Sequence, residues 1–360
     1  MQMTQRPPTT LSTKPDLAEA ARRWQAYFAG DIIDRPIVCV TARRDGRAVP
    51  ALPDYRRRTF GDLDAIIDDV LARVEATYWG GEAVPDYFFS FGPDEIAVLC
   101  GAELRWAEGS GDTNWSVPCV SDWAEALPIR LQTTHPLWQR MLAFHRRAAE
   151  RMEGKCLCSP PDLHSNMDLL SGMRGPQQLC LDLMDRPETI DRAMVSARAV
   201  FPELWHGIVE AGRMDERGYS HGFYSTTGHA VLQCDFSALI GPTMFRRWVL
   251  PALEEEAEIV GHAFYHWDGP DAVKHLPDLC ASKGLHTLAY VPGDGRGRFP
   301  DYIDLFNRVQ SGGKAVAVYG TPDELKVMHK ELRPEKTMYG TTAASVDEAD
   351  EVLGWFVTNT

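Results

Sequence analysis

Short apolar runs alternate along most of the chain with amphipathic stretches of a dozen or more residues, a pattern that predicts parallel strands joined by helical crossovers. Strands are expected at 36–41, 86–91, 155–159, 218–224, 262–266, 285–291, 315–319 and 337–340. Helical periodicity covers 62–76, 136–152, 187–210, 242–260, 272–280, 299–310, 323–331 and 346–356. Eight strands in 360 residues predict an α/β fold of the (β/α)8 TIM-barrel type rather than an open doubly wound sheet. No GxGxxG fingerprint follows the first strand, which argues against a dinucleotide-binding fold.

Ahead of the first strand, Leu17, Ala21, Trp24 and Phe28 recur at helical spacing and Gly30 closes the run. Residues 1–30 are therefore expected to be a tail, through residue 14, and a lid helix. Residues 31–360 form the barrel. The segment 95–120, with Trp106 and Trp115, has alternating apolar residues and reads as an inserted hairpin. The glycine-rich stretch 293–297 is followed by no Lys-Ser/Thr pair and reads as a turn.

Charge narrows the partners. The 37 Lys+Arg against 51 Asp+Glu give a net charge of -14, which repels phosphate backbones and anionic membranes. No apolar run approaches the roughly 20 residues of a bilayer span, and the first 15 residues lack the apolar region of a secretory signal. Eight cysteines without a disulfide framework or a paired CxxC motif suit a reducing cytoplasm.

In a barrel of this type the active site gathers at the C-terminal ends of the strands, so polar residues just after each apolar run are the candidates. These are Arg43, Arg44 and Arg47, then Asp162 and His164, then Tyr224 with Cys234 and Asp235, then His266, Trp267 and Asp268, then Asp294. His266 and Asp268 alternate at a strand end, where an imidazole and a carboxylate can project the same way and ligate a metal. A third ligand would come from Cys234, Asp235, Asp162 or His164. The plainer reading makes His266 a hydrogen-bonded mouth residue and Asp268 the cap of a helix starting near Pro270. Asp235 is a candidate general base as well as a ligand, whereas a buried Cys234 would be inert filler. The guanidinium groups of Arg43 and Arg47 can bind a carboxylate-bearing substrate, and the alternative is a loop of solvated charge.

Two stretches resemble the uroporphyrinogen decarboxylase superfamily, which includes zinc-dependent methyltransferases acting on methylated corrinoids and coenzyme M. One runs from Cys234-Asp235-Phe236-Ser237 through Gly241-Pro242 to Val249-Leu250-Pro251; the other runs from Asp162-Leu163-His164 through Met173-Arg174-Gly175 to Asp185-Arg186-Pro187. The resemblance extends from about Pro36 to the C-terminus and implies the barrel. It departs from the catalytic patterns. The methyltransferases' His-x-Cys reads His266-Trp267-Asp268 here, and their C-terminal Cys falls near Tyr339–Thr342, where no Cys stands. Arg43 and Arg47 are similar to the decarboxylases' Arg-x-x-Gly-Arg motif, but their essential Asp after the second strand has no clear counterpart near Ser90-Phe91-Gly92.

The resemblance implies a metal-dependent methyltransferase that moves a methyl group between a small substrate and a corrinoid or thiol. His266 and Asp268 would hold zinc or another divalent metal with Cys234 or Asp235, and Asp235 and His266 would serve catalysis. Tyr224, Trp267 and His164 would surround the substrate, with Arg43 and Arg47 on an anionic group. The implied partners are a corrinoid protein and a second copy of the chain. The alternatives are a metal-free decarboxylase or lyase using Asp235 for proton transfer, and a ligand-binding barrel without catalysis.

Overall fold

The computed structural model describes residues 6–108 and 114–360. Its central sheet is built from β1 (Ile37–Arg43), β2 (Thr77–Gly81), β5 (His229–Gln233), β6 (His262–Asp268), β7 (Leu285–Val291), β8 (Ala315–Tyr319) and β9 (Thr337–Thr342), hydrogen-bonded in the order β2-β1-β9-β8-β7-β6-β5. Two further strands, β3 (Asp86–Phe88) and β4 (Leu157–Ser159), pair in parallel with each other. A single parallel bridge, Leu163 to Leu232, ties this pair to β5. Apart from β2, the strands are the eight of a TIM-like barrel. Among the described residues no ladder joins β2 to β3, so the ring has an open seam there.

The strand interiors explain the layering. Along β6, Ala263, Tyr265 and Trp267 belong to the outer core packed under the helices, whereas Phe264 belongs to an inner cluster with Val231, Ala289, Ala317 and Met338. With side chains alternating faces, His262, His266 and Asp268 share the inner face with Phe264. Besides α1 (Leu17–Phe28), the outer helices include α2 (Leu63–Ala76), α3 (Pro136–Arg151), α4 (Asn166–Arg174), α5 (Pro187–Gly212), α6 (Leu250–Val260), α7 (Ile303–Ser311), α8 (Pro322–Glu331) and α9 (Val346–Asn359). Of the segment 95–120 expected as a hairpin, Glu95–Leu99 is helical and Glu103–Arg105 pairs antiparallel with Trp115–Val117; residues 109–113 between them lie outside the described residues.

Three expectations need correction. The fourth barrel strand is His229–Gln233, not 218–224. The latter stretch folds into a short antiparallel hairpin, Tyr219–Ser220 with Tyr224–Ser225, reversed around Gly222 at φ +70°. Second, α1 is not a lid. It lies across the N-terminal ends of the strands: the Tyr27 hydroxyl bonds Thr287 Oγ1 at 2.9 Å and the Phe28 ring stacks on His262 at 3.8 Å. It plugs the end of the barrel opposite the strand ends. Third, residues 11–14 are not tail. Leu11 and Lys14 are buried, and Lys14 Nζ donates to Gly81 O at 2.6 Å and Trp79 O at 3.0 Å while pairing with Asp16 at 2.9 Å.

Strand β2 was not anticipated. It runs antiparallel to β1, with Arg43 opposite Thr77 and Cys39 opposite Gly81. Its reversal into β3 depends on Gly81, whose φ of +61° is costly for any side chain and whose added Cβ would stand 2.1 Å from Val38 O. Gly81→Ala is expected to destabilise the fold by about 2–4 kcal/mol in urea unfolding, from backbone strain plus a clash with main chain that cannot yield. Beyond the turn, the buried carboxylate of Glu82 accepts from Arg35 Nη2 at 2.8 Å and from Val38 N at 3.0 Å, so its charge is matched by a cation and a backbone donor.

Candidate functional site

The loop after β4 and the loop after β5 meet at the strand ends. Asp162 and His164 come from the first, Cys234 and Asp235 from the second. Asn166 opens α4 with a positive φ of +48°, a conformation Asn tolerates better than most residues. Its amide donates to Gln233 O at 3.1 Å, while the Gln233 amide donates to Asp162 Oδ1 at 2.6 Å. These two bonds lock the loops together.

On the first turn of α4, Asp168 is the organising residue. Its carboxylate accepts from the backbone N–H of Asp235 at 2.9 Å and of Phe236 at 2.8 Å, the open donors at the start of the 3-10 turn Asp235–Leu239. The same group faces His164, whose Nδ1 stands 3.5 Å from Asp168 Oδ2 and 3.7 Å from Asp235 Oδ2. Ligand atoms of His164, Asp168 and Asp235 all lie within 4.8 Å of one another, the spacing of groups that can share a metal ion.

The charge balance follows from this crowding. Burial opposes protonation of His164, but Asp168, with Asp162 and Asp235 behind it, outweighs that and pushes the imidazole up to about 9. Asp235 is raised to about 6 by burial and by the Asp168 carboxylate, against the pull of His164 and His266. Its side chain keeps 46% of its surface, so it is the member of the group open to an incoming molecule. Glu95, which opens the short helix Glu95–Leu99 after β3, is fully buried and raised by burial to about 8; its Oε2 accepts from Phe91 N at 2.7 Å and Ser90 Oγ at 2.9 Å. Sequence reasoning missed both Asp168 and Glu95. The His164-x-x-x-Asp168 spacing at a helix start was the available signal for the first.

The other candidates separate. His266 and Asp268 face the barrel interior and act electrostatically on Asp235. Asp268 does not cap the following helix, because Gly269 holds that position without a side-chain bond. Cys234 is buried among the outer core, with Sγ 3.7 Å from Asp168 Oδ1, and its thiol is pushed well up by burial and by the Asp168 and Asp235 charges. It is not part of the cluster of ligand atoms that His164, Asp168 and Asp235 form. Trp267 is fully buried in the outer layer, its indole N–H donating to Ala272 O at 3.0 Å, so it does not line a pocket. Tyr224 is buried in the hairpin beside the plug, near Phe28 and His262, at the wrong end of the barrel for this cluster. Arg43 is exposed, and Arg47 donates to Glu75 O at 3.2 Å, on the side of Glu75 and Lys155, which precedes β4.

No family model and no curated protein matches the sequence. Solved structures do. The chain shares the fold of a methyltransferase from Methanosarcina mazei. The superposition has a TM-score of 0.61 and covers 94% of this chain and 98% of that one, at 13% identity. The likeness therefore extends over nearly the whole chain, and it is consistent with the TIM-like arrangement despite the open seam. No helix among the described residues is long and apolar enough to cross a membrane.

Proposed function

We propose that the chain is a methyl-transfer enzyme whose strand-end cluster holds a divalent cation through His164, Asp168 and Asp235, with His266 and Asp268 facing the same interior. The observation that carries the reading is the convergence of one imidazole and two carboxylates within 4.8 Å. The fold shared with a methyltransferase supports the reaction class. The donor set is nitrogen and oxygen, without the thiolates that the resemblance in sequence implied. It suits a harder ion than a cysteine-rich zinc site does.

A bound cation supplies Lewis acidity, lowering the pKa of a coordinated water or acceptor thiol. The chain's own residues do the rest. Asp168 fixes the backbone of Asp235 and Phe236, His164 is oriented by Asp168, and the half-exposed Asp235 can take or give a proton near neutral pH. The methyl group would pass between a small substrate and a thiol or a corrinoid partner. A second reading, metal-free proton transfer in a lyase, draws on the separation of His164 near 9 from Asp235 near 6, which suits an acid and a base.

Cation binding must displace the His164 proton. Apparent affinity should therefore rise about tenfold per pH unit up to about 9 and fall faster below about 6, where Asp235 also takes up a proton. Calorimetric titration of the metal-stripped protein with manganese and zinc at about pH 6.5 and about pH 8.5 checks this. A tight 1:1 isotherm that strengthens with pH supports the cation. Binding of neither ion, with turnover of a carboxylated substrate in EDTA, replaces it by the lyase.

A further inference from the structure

Across the barrel interior from β5 and β6, a cavity of about 400 Å³ opens beside the ends of β1, β8 and β9. Its walls come from the inner faces of these strands: Cys39 and Thr41 on β1, Tyr319 on β8, Met338 and Thr342 on β9. Gly340 leaves room for it, since an added Cβ there would meet the Tyr319 ring at 2.5 Å. Strand β2 contributes Trp79, which pairs with Thr41 and so shares its face.

The chemistry of the wall is one-sided. No Lys, Arg or His lines the cavity, and its one ionisable acid is Asp86, at the start of β3. Asp86 Oδ2 accepts from Ser220 Oγ and from Gly222 N at 3.1 Å. Its Oδ1 has no hydrogen-bond partner among the described residues. The same cavity is lined by Trp79, whose indole N–H is already used on Val74 O at 3.1 Å so that only the ring surface is offered, and by Tyr319. The hydroxyls of Thr41 and Thr342 pair at 3.1 Å on the rim. A second cavity of about 230 Å³ is also lined by Trp79 and Asp86, but Arg58, Arg73 and Asp69 line it too, so only the first of the two spaces is without cationic side chains.

A cavity whose wall combines one carboxylate with aromatic rings and holds no cationic side chain suits an organic cation. We propose that this cavity binds a small molecule carrying a methylated ammonium group, with Asp86 matching its charge and Trp79 and Tyr319 contacting its methyl groups. This reverses the sign of the substrate expected from Arg43 and Arg47. The proposal rests on the methyl-transfer reading only for the fate of the ligand. In that reaction the C–N bond breaks, its electron pair stays on the departing neutral amine, and the methyl carbon joins a thiolate acceptor.

The test compares choline with 3,3-dimethylbutan-1-ol, a neutral molecule of the same shape, by calorimetry and tryptophan fluorescence on metal-stripped and metal-loaded protein. Choline should bind about tenfold or more tighter than the alcohol, and Asp86→Asn should bring the two together. Trp79→Leu, which leaves the charge in place, should weaken choline several-fold with less effect on the alcohol. Equal affinity for the two probes in the unmutated protein, or a preference for choline that survives Asp86→Asn, overturns the proposal. Because binding is read without turnover, metal uptake without choline discrimination sinks only this inference, and choline discrimination without metal uptake sinks only the cation-dependent reading.

Discussion

His164→Ala is expected to abolish stoichiometric cation binding and, with it, methyl transfer. The imidazole is the only nitrogen donor in the three-residue cluster, and its Nδ1 stands within 3.7 Å of both carboxylates. Losing a partner that merely orients a metal ligand typically costs 10–100-fold in affinity, so losing a ligand should cost about a hundredfold or more. Without the imidazole, Asp168 and Asp235 also lose the positive neighbour that offsets their mutual repulsion, which raises the Asp235 carboxyl further and weakens it as a donor at neutral pH. Metal analysis after gel filtration, set beside calorimetric titration, reads both effects. The control is His266→Ala, which should reduce affinity less, since His266 acts on the cluster from outside it. If His164→Ala retains one ion per chain and His266→Ala loses it, the site is centred on β6 and the assignment to the loops after β4 and β5 is wrong.

Asp168→Ala is expected to damage both the fold and the site. The carboxylate satisfies two backbone N–H groups and faces the His164 ring from a position only 8% exposed. Truncation leaves two poorly hydrated donors without an acceptor and an imidazole without its nearest carboxylate. At about 1–3 kcal/mol for each stranded donor, the loss should be about 3–5 kcal/mol in urea unfolding. Asp168→Asn keeps one acceptor oxygen and should lose less stability, about 1–2 kcal/mol, while still lowering the His164 pKa because the charge is gone. The two variants thus separate scaffolding from electrostatics. If Asp168→Ala unfolds at the same denaturant concentration as the unmutated protein, the two N–H groups have another acceptor and Asp168 is not the organiser described here.

The barrel was legible because its strands and helices obey different periods, and seven of the eight strand positions follow from that alternation. The exceptions have physical causes. The stretch Gly218–Tyr224 has the aromatic and β-branched look of a strand, yet Gly222 turns it back on itself; the true strand His229–Gln233 is a short, wholly buried run that periodicity cannot distinguish from other core. Strand β2 follows α2 without a break and was absorbed into the crossover. Strand-end placement picks out His164 and Asp235, which the structure brings together with Asp168, but it cannot tell which of the successive residues at the end of β6 face inward, so Trp267 is grouped with His266 and Asp268. Asp168 escaped because it sits one helical turn into the next element. Its importance comes from donors 67 and 68 residues away, a relation that no local pattern contains.

The plug sets the order in which the chain can be completed. α1 leaves the ribosome well before the surface it packs on, since Tyr27 finds its hydroxyl partner 260 residues later, on β7. The inner residues it shares a cluster with extend to Met338 on β9. During synthesis at about 5–20 residues per second, Trp24, Tyr27 and Phe28 must therefore wait for tens of seconds with no surface to dock on. Through that interval the nascent protein carries an exposed aromatic stripe, a natural handle for a chaperone and the segment on which misassembly would begin.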